Sequence, residues 1–282
     1  MPDVFAAPKG RQFRLLVKEH PGATMGVSFI ALLLLASLVA PLPYDPTATD
    51  GSSSLLAPGA QHWFGTDGAG ADVFSRVIAA ARIDLSLALA GTLLSLGLGL
   101  PLGLMASGKG KGSEWLVRAL DAFQAFPLLI LALALVSLSG NKLYMVVVAI
   151  ALINVPRYIR LMRSEILSLR ESRFIEAAIA MGASTSRVTF KHLLPNVWGI
   201  VLVQTSLTIA NAIVVIASLS FLGVGVSAPT PSWGGMIRDG AGNMASGEWW
   251  IAGFAGLAVL LCVLAFNQLA DAIGDRTART YR

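Results

Sequence analysis

The sequence predicts an all-α integral membrane protein with six transmembrane helices. Hydrophobic residues make up 55% of the 282 positions and charged residues only 13%, against about 25% charged in soluble domains. The apolar residues gather into six runs separated by polar segments, as successive membrane crossings require. Lys and Arg are concentrated in alternate connecting segments, which is the charge bias that orients multi-span proteins.

Residues 1–25 form a basic tail with Lys9, Arg11, Arg14 and Lys18, and residues 26–42 form the first span. A cleaved signal peptide is disfavoured because the basic region is long and Leu38-Val39-Ala40-Pro41 lacks a small residue at minus three. Residues 43–83 are polar and rich in Gly, Ser and Pro, which predicts an external segment with a short amphipathic helix at Val73–Ala81. His62 lies near Asp67 and Asp72, but one histidine predicts a hydrogen-bonding role and no metal site. Residues 84–271 make a five-helix core. Its first span, Leu85–Ala106, carries Gly91, Ser95, Gly99 and Gly103 at intervals of four, a strip that lets another helix approach closely. The following Gly103 to Gly110 nearly spells a phosphate-binding loop. It lacks the closing Ser or Thr and follows a membrane helix, so no nucleotide or other cofactor is assigned to this chain.

The third span is expected at Ala119–Ser139, with Asp121, Phe126 and Pro127 near its start, and the fourth at Leu143–Pro156. A polar connection over 157–196 leads to the fifth, Val197–Leu219. There Gln204, Asn211 and Ser218 recur at steps of seven, a stripe suited to lining a solute path or to hydrogen bonding between helices. The connection 220–249 is shaped by Gly, Pro229 and Pro231, with Trp233, Trp249 and Trp250 suited to the membrane boundary. The last span is Ile251–Ala270, and 272–282 is a basic tail. Cys262, alone in an apolar run, reads as a buried hydrophobe.

Six crossings put both termini on one side. Seventeen of the 21 Lys and Arg fall on that side, leaving Arg76, Arg82, Lys142 and Arg238 on the other. The bias predicts cytoplasmic termini and a cytoplasmic 157–196 connection. It accounts for a pI near 9.7 without a nucleic-acid partner. Asp84, Asp121 and Asp271 stand near span ends, which disfavours an ion-coupled secondary transporter. The absence of a Ser-His or His-Asp-Glu grouping disfavours a membrane enzyme. A passive gate driven by a partner fits better, with a secondary carrier and a non-transporting scaffold or receptor as alternatives.

The stretch Glu176–Pro195 is the organising element, since it is polar yet lies between apolar spans. Ser164–Met181 can wind as a helix with Leu167, Phe174, Ala178 and Met181 on one face. Gly182 then supplies a left-handed turn, Ser184 caps a second short helix, and Pro195 is expected to stop it. Ala177 and Ala178 leave room for a partner.

Glu176-Ala177-Ala178, Gly182 and Leu194-Pro195 at these spacings resemble the EAA loop of ABC-importer permeases, and His192 before Leu193-Leu194-Pro195-Asn196 resembles the dipeptide and oligopeptide branch. Phe64-Gly65-Thr66-Asp67, Gly70, Asp72-Val73, Ser75-Arg76 and Ala81-Arg82 are similar to that group's signature before the second span, with Ala71 where arginine is usual. Ser218 to Val226 and Ala228 to Gly234 are similar to it as well. The resemblance implies a type I-like importer fold. It implies a permease subunit with a long external segment after the first span, in a bacterial inner membrane. It assigns Glu176, Ala177, Ala178, Gly182, Ala183, Leu194 and Pro195 to coupling with an ATPase. The implied partners are a related second permease in a heterodimer, two ATPase subunits that hold ATP and Mg, and an extracytoplasmic solute-binding protein. Peptides are the implied solutes, with nickel, opines, glutathione and short oligosaccharides open.

Overall fold

The computed structural model describes residues 20–108 and 110–280. Lys9, Arg11, Arg14 and Lys18 of the expected tail, with Lys109 and Arg282, lie outside the described residues. Among the described residues there is no strand, only helices and their connections.

Helix α1 (Pro21–Val39) starts on a proline, whose missing N–H costs nothing in a first turn. One side packs on the last helix, where a Cβ on Gly26 would lie 2.8 Å from Ala265, and the other is exposed, as suits a helix in lipid. The polar segment after it is folded by aspartates: Asp50 accepts from the Ser52 amide, Asp67 from the Ala69 and Ala71 amides, and Asp72 from the Ser75 amide. Hydrogen bonds from the Thr47 and Ser52 hydroxyls hold Asp45 and Asp50 below the usual carboxylate range. His62 and Asp72 are 2.8 Å apart, a hydrogen bond that braces the helix cap, and Ala71 between them in this segment is buried.

Asp72 begins α2 (Val73–Ala106), a single helix of 34 residues where a short helix and a separate span were expected. Nothing between Ala81 and Leu85 breaks the ladder, so the two run together. At 1.5 Å per residue α2 is about 51 Å long, well beyond a hydrocarbon core of about 30 Å. The expected third span is instead a bent pair, α3 (Lys111–Gln124) and α4 (Leu128–Leu138), turned by 80°. Pro127 lacks an N–H and forces the residue before it out of helical geometry, so the helix breaks there.

Helix α5 (Leu143–Arg170) runs straight through Pro156 and continues well past the expected end of the fourth span. The chain then breaks at Glu171-Ser172 into α6 (Arg173–Ala180). Helix α7 (Thr185–Phe221) follows, containing a π-helical segment at Val188–Leu193. The expected stop at Pro195 does not occur. The π segment widens the turn just before the proline, and the helix passes on into the fifth span. Beyond it α8 (Trp233–Ala241) lies across the far end of the bundle and α9 (Trp250–Thr280) returns. Among the described residues five helices are long and apolar enough to cross a membrane, and six crossings result where the bent pair counts as one span.

The relative directions follow from contacts. A Cβ placed on Gly91 would lie 2.6 Å from the Ile150 side chain and one on Gly103 2.5 Å from Met162, while Gly99 abuts Tyr158. Both sets of numbers rise together, so α2 and α5 are parallel with a constant register. Asn211 reaches Asn154, and the Tyr158 hydroxyl donates to Thr205 at 3.2 Å, so α7 runs antiparallel to α5. One large apolar cluster fills the bundle between α2, α5, α7 and α9. A second, smaller one gathers Met162, Ile166, Ile175, Val188, Leu193, Val197 and Val201 at the end that carries the 171–193 connection.

Candidate coupling surface and translocation face

The 171–193 connection is fixed to the bundle. Ile175 of α6 belongs to the second apolar cluster with Ile166 and Leu193, and Ala178 of the same helix is buried as well. Gly182 takes φ +85°, a left-handed conformation, and the Ser184 hydroxyl accepts from the Arg187 amide at 3.3 Å to start α7. The expected single face over Leu167, Phe174, Ala178 and Met181 is not formed. The break at Glu171-Ser172 restarts the helical register, so Ala178 turns inward while Phe174 and Met181 stay outside.

Glu176, Ala177 and Gly182 are therefore exposed, with Ala183 half-buried behind them. Around them stand Phe174, Ile179, Met181 at 83% exposure and Phe190 at 65%. The exposed part of the connection is thus largely apolar, with small residues among the large ones, and it is carried on a braced support. Beside it a groove of about 590 Å³ is lined by Leu167, Arg170, Ile175, Ile179, Thr185 and Leu193 among others. Leu194 is half-buried and Pro195 exposed, one turn further along α7.

Two arginines tie this region to α2. The last carbonyls of a helix lack intrahelical partners and carry partial negative charge. Arg163 donates to the Ala106 carbonyl and Arg170 to the Ser107 carbonyl at 2.6 Å. Sequence reading missed both. Their seven-residue spacing was visible, but not that the end of α2 lies opposite them.

Within the bundle, the stripe Gln204, Asn211 and Ser218 does not act as one unit. Gln204 donates to Thr208 and Ser218 to the Val214 carbonyl, both within α7. Asn211 alone bridges helices, to the buried Asn154, which also accepts from Arg157 at 3.1 Å. Gly91, Ser95, Gly99 and Gly103 all lie buried on α2. Among the described residues no group of His, Cys, Asp and Glu could hold a metal.

A bundle of apolar helices with a braced, exposed loop at one end defines a multi-span transport permease of the ABC-importer class. Residues 99–282 match the family model described as "Binding-protein-dependent transport system inner membrane component". The chain belongs to this family of inner-membrane proteins, and within it is similar to permeases of the peptide group. It is 38% identical to the dipeptide transport system permease protein DppC of Alkalihalophilus pseudofirmus, over 92% of this chain and 86% of that protein. It is 39% identical to the glutathione transport system permease protein GsiD of Salmonella typhimurium, over 97% and 91% respectively. It is 34% identical to the probable D,D-dipeptide transport system permease protein DdpC of Escherichia coli, over 94% and 90%. In fold it is similar to a chain of the MetNI methionine ABC transporter in an inward-facing conformation. The TM-score is 0.58 at 17% identity, with 74% of this chain and 97% of that chain covered.

Proposed function

We propose that this chain forms half of the translocation path of an ATP-driven importer for short peptides, glutathione included. It pairs with a related permease, and two ATPase subunits bind ATP and Mg beneath it. An extracytoplasmic binding protein delivers the solute. The observation that carries the reading is the exposed surface of Phe174, Ala177, Met181 and Phe190 around Glu176, held by its own apolar cluster. A soluble loop has no reason to keep such side chains in water, and a protein partner covers them. The termini and the 171–193 connection lie in the cytoplasm in this arrangement, in keeping with the basic residues on that side. ATP-driven closure of the ATPases moves α6, and the arginine links and the glycine strip pass the movement to α5 and α2 together.

The test is a gentle detergent pull-down of the tagged chain from its native membrane with mass spectrometry of the recovered proteins. A second six-span permease and one or two ATPases are expected. Recovery of the chain alone, repeated after crosslinking, would leave the exposed surface without a partner and reopen the secondary-carrier reading.

A further inference from the structure

Arg157 was expected in the cytoplasmic connection, but its place along α5 and the two contacts of the adjacent Tyr158 set it level with the spans instead. It stands 14 residues into α5, about 21 Å from Leu143 at 1.5 Å per residue. The adjacent Tyr158 packs on Gly99 of the parallel α2, which continues through Leu100 to Ala106 for about another 10 Å of wholly apolar helix. On the other side Tyr158 bonds Thr205 of α7, about 15 Å above Pro195. Arg157 is thus level with the apolar interior of both flanking helices.

A cation at that depth needs a counter-charge or water. Arg160, one turn further, has its partner in Asp121 at 2.7 Å. Arg157 has none, because among the described residues no carboxylate pairs with it. Its side chain is exposed, and one of its nitrogens is held by the Asn154 oxygen. Asn154 is itself fully buried and fixed by donating to the Ile150 carbonyl at 2.9 Å and by Asn211 on α7. The guanidinium is therefore held at one nitrogen by the buried Asn154 amide, which the Asn211 amide approaches to 3.5 Å, and the Arg157 side chain is otherwise exposed. A planar cation presented in this way suits a carboxylate.

We propose that Arg157 faces the translocation path and receives a carboxylate of the passing solute, with Asn154 and Asn211 as positioning residues. The inference rests on the importer reading above and adds the substrate chemistry to it: solutes with a free carboxylate, such as a peptide C-terminus.

The experiment uses the assembled complex in proteoliposomes, carrying Cys262→Ser and Leu161→Cys, the new cysteine lying one turn from Arg157 on the same helix. Modification by an anionic sulfonate thiol reagent is compared with modification by a cationic trimethylammonium one, with Arg157 retained or changed by Arg157→Gln. Both reagents should reach the cysteine. The anionic-to-cationic rate ratio should fall on the order of tenfold in Arg157→Gln, as removal of one nearby charge requires. No labelling in either the nucleotide-free or the ATP-trapped complex overturns the proposal. So does an unchanged ratio, which is the result if an acid of the partner permease already neutralises Arg157. Uptake of alanylalanine or glutathione should drop about as far in Arg157→Gln and recover only in part in Arg157→Lys, which keeps the charge without the planar fork, and undiminished uptake in Arg157→Gln also overturns it. If the wild-type complex moves neither solute, the peptide reading falls, while the reagent ratio still decides the place of Arg157.

Discussion

The carboxylate of Asp84 accepts a hydrogen bond from the backbone N–H of Trp233 at 2.9 Å, and both residues are buried. Trp233 opens α8, so a side chain of α2 holds the first turn of the helix that lies across the far end of the bundle. The Trp233 indole adds a second tie by donating to the Val77 carbonyl at 3.0 Å. A buried carboxyl oxygen here satisfies one of the amides that the first turn of a helix leaves unpaired.

Asp84→Ala should therefore loosen α8. A buried amide left without its acceptor costs about 1–3 kcal/mol, and the purified complex should lose thermal stability to about that extent. The 222–249 connection should also be cut faster by protease. Asp84→Asn keeps an acceptor for the Trp233 amide and should lose less than Asp84→Ala. An unchanged cleavage rate in Asp84→Ala would mean that the indole alone holds α8.

The crossings themselves were legible because membrane helices announce their apolar content, and the small-residue strip on α2 was legible because it repeats every four residues. Helix ends were less so. Residues 73–106 hold one helix because no Gly-Pro pair or turn residue interrupts Arg82 to Leu85, and the polarity of those residues reads like an end when it is only a change of surroundings. Pro127 and Pro195 show the limit of local rules: the first breaks a helix as expected of proline, and the second is absorbed by a π segment that no local pattern announces. Gly182 and Ser184 take the turn and cap conformations that their chemistry favours. Asn154 fell within the expected fourth span without a role and Arg157 at the start of the loop, since only the neighbouring helices show what stands beside them.

The glycine strip sets the α2–α5 distance, and replacing its members should separate the helices. Gly91→Leu and Gly103→Leu each drive a side chain into Ile150 or Met162, at distances where backbone must move. Overpacking of this kind costs about 1–3 kcal/mol, or more where backbone cannot yield. Gly97 has nothing within 4 Å of its Cβ position. Gly97→Ala should be neutral or slightly stabilising, because alanine favours helix by about 1 kcal/mol over glycine. Thermal melts of the three purified complexes decide this, and equal losses at positions 91, 97 and 103 would refute the close packing.

Arg163 and Arg170 should behave as a link whose loss separates binding from movement. A cation on helix C-terminal carbonyls contributes about 0.3–1 kcal/mol when exposed and up to about 2 when partly buried. Both arginines are half-buried. The double variant Arg163→Gln, Arg170→Gln should still recover its ATPase partners in a pull-down, because neither residue belongs to the exposed coupling surface. Its uptake should fall severalfold relative to the ATP hydrolysed. Tight coupling in the double variant would mean that the glycine strip alone carries the motion.

Glu176 and Gly182 test the coupling surface directly. Glu176 is exposed in the first turn of α6, where a negative charge is favoured, and Glu176→Lys places the wrong sign there at the centre of the proposed contact. Gly182 holds φ +85°, which proline cannot adopt, since its ring fixes φ near −65°. Gly182→Pro should therefore redirect the chain between α6 and α7. Both variants should insert normally, since neither residue lies in an apolar run, yet support no uptake. Gly182→Ala has open space around its new methyl and should lose only the roughly 1–2 kcal/mol of a left-handed residue. Retained transport in Glu176→Lys together with Gly182→Pro would remove this loop from the drive train and shift the coupling contact elsewhere.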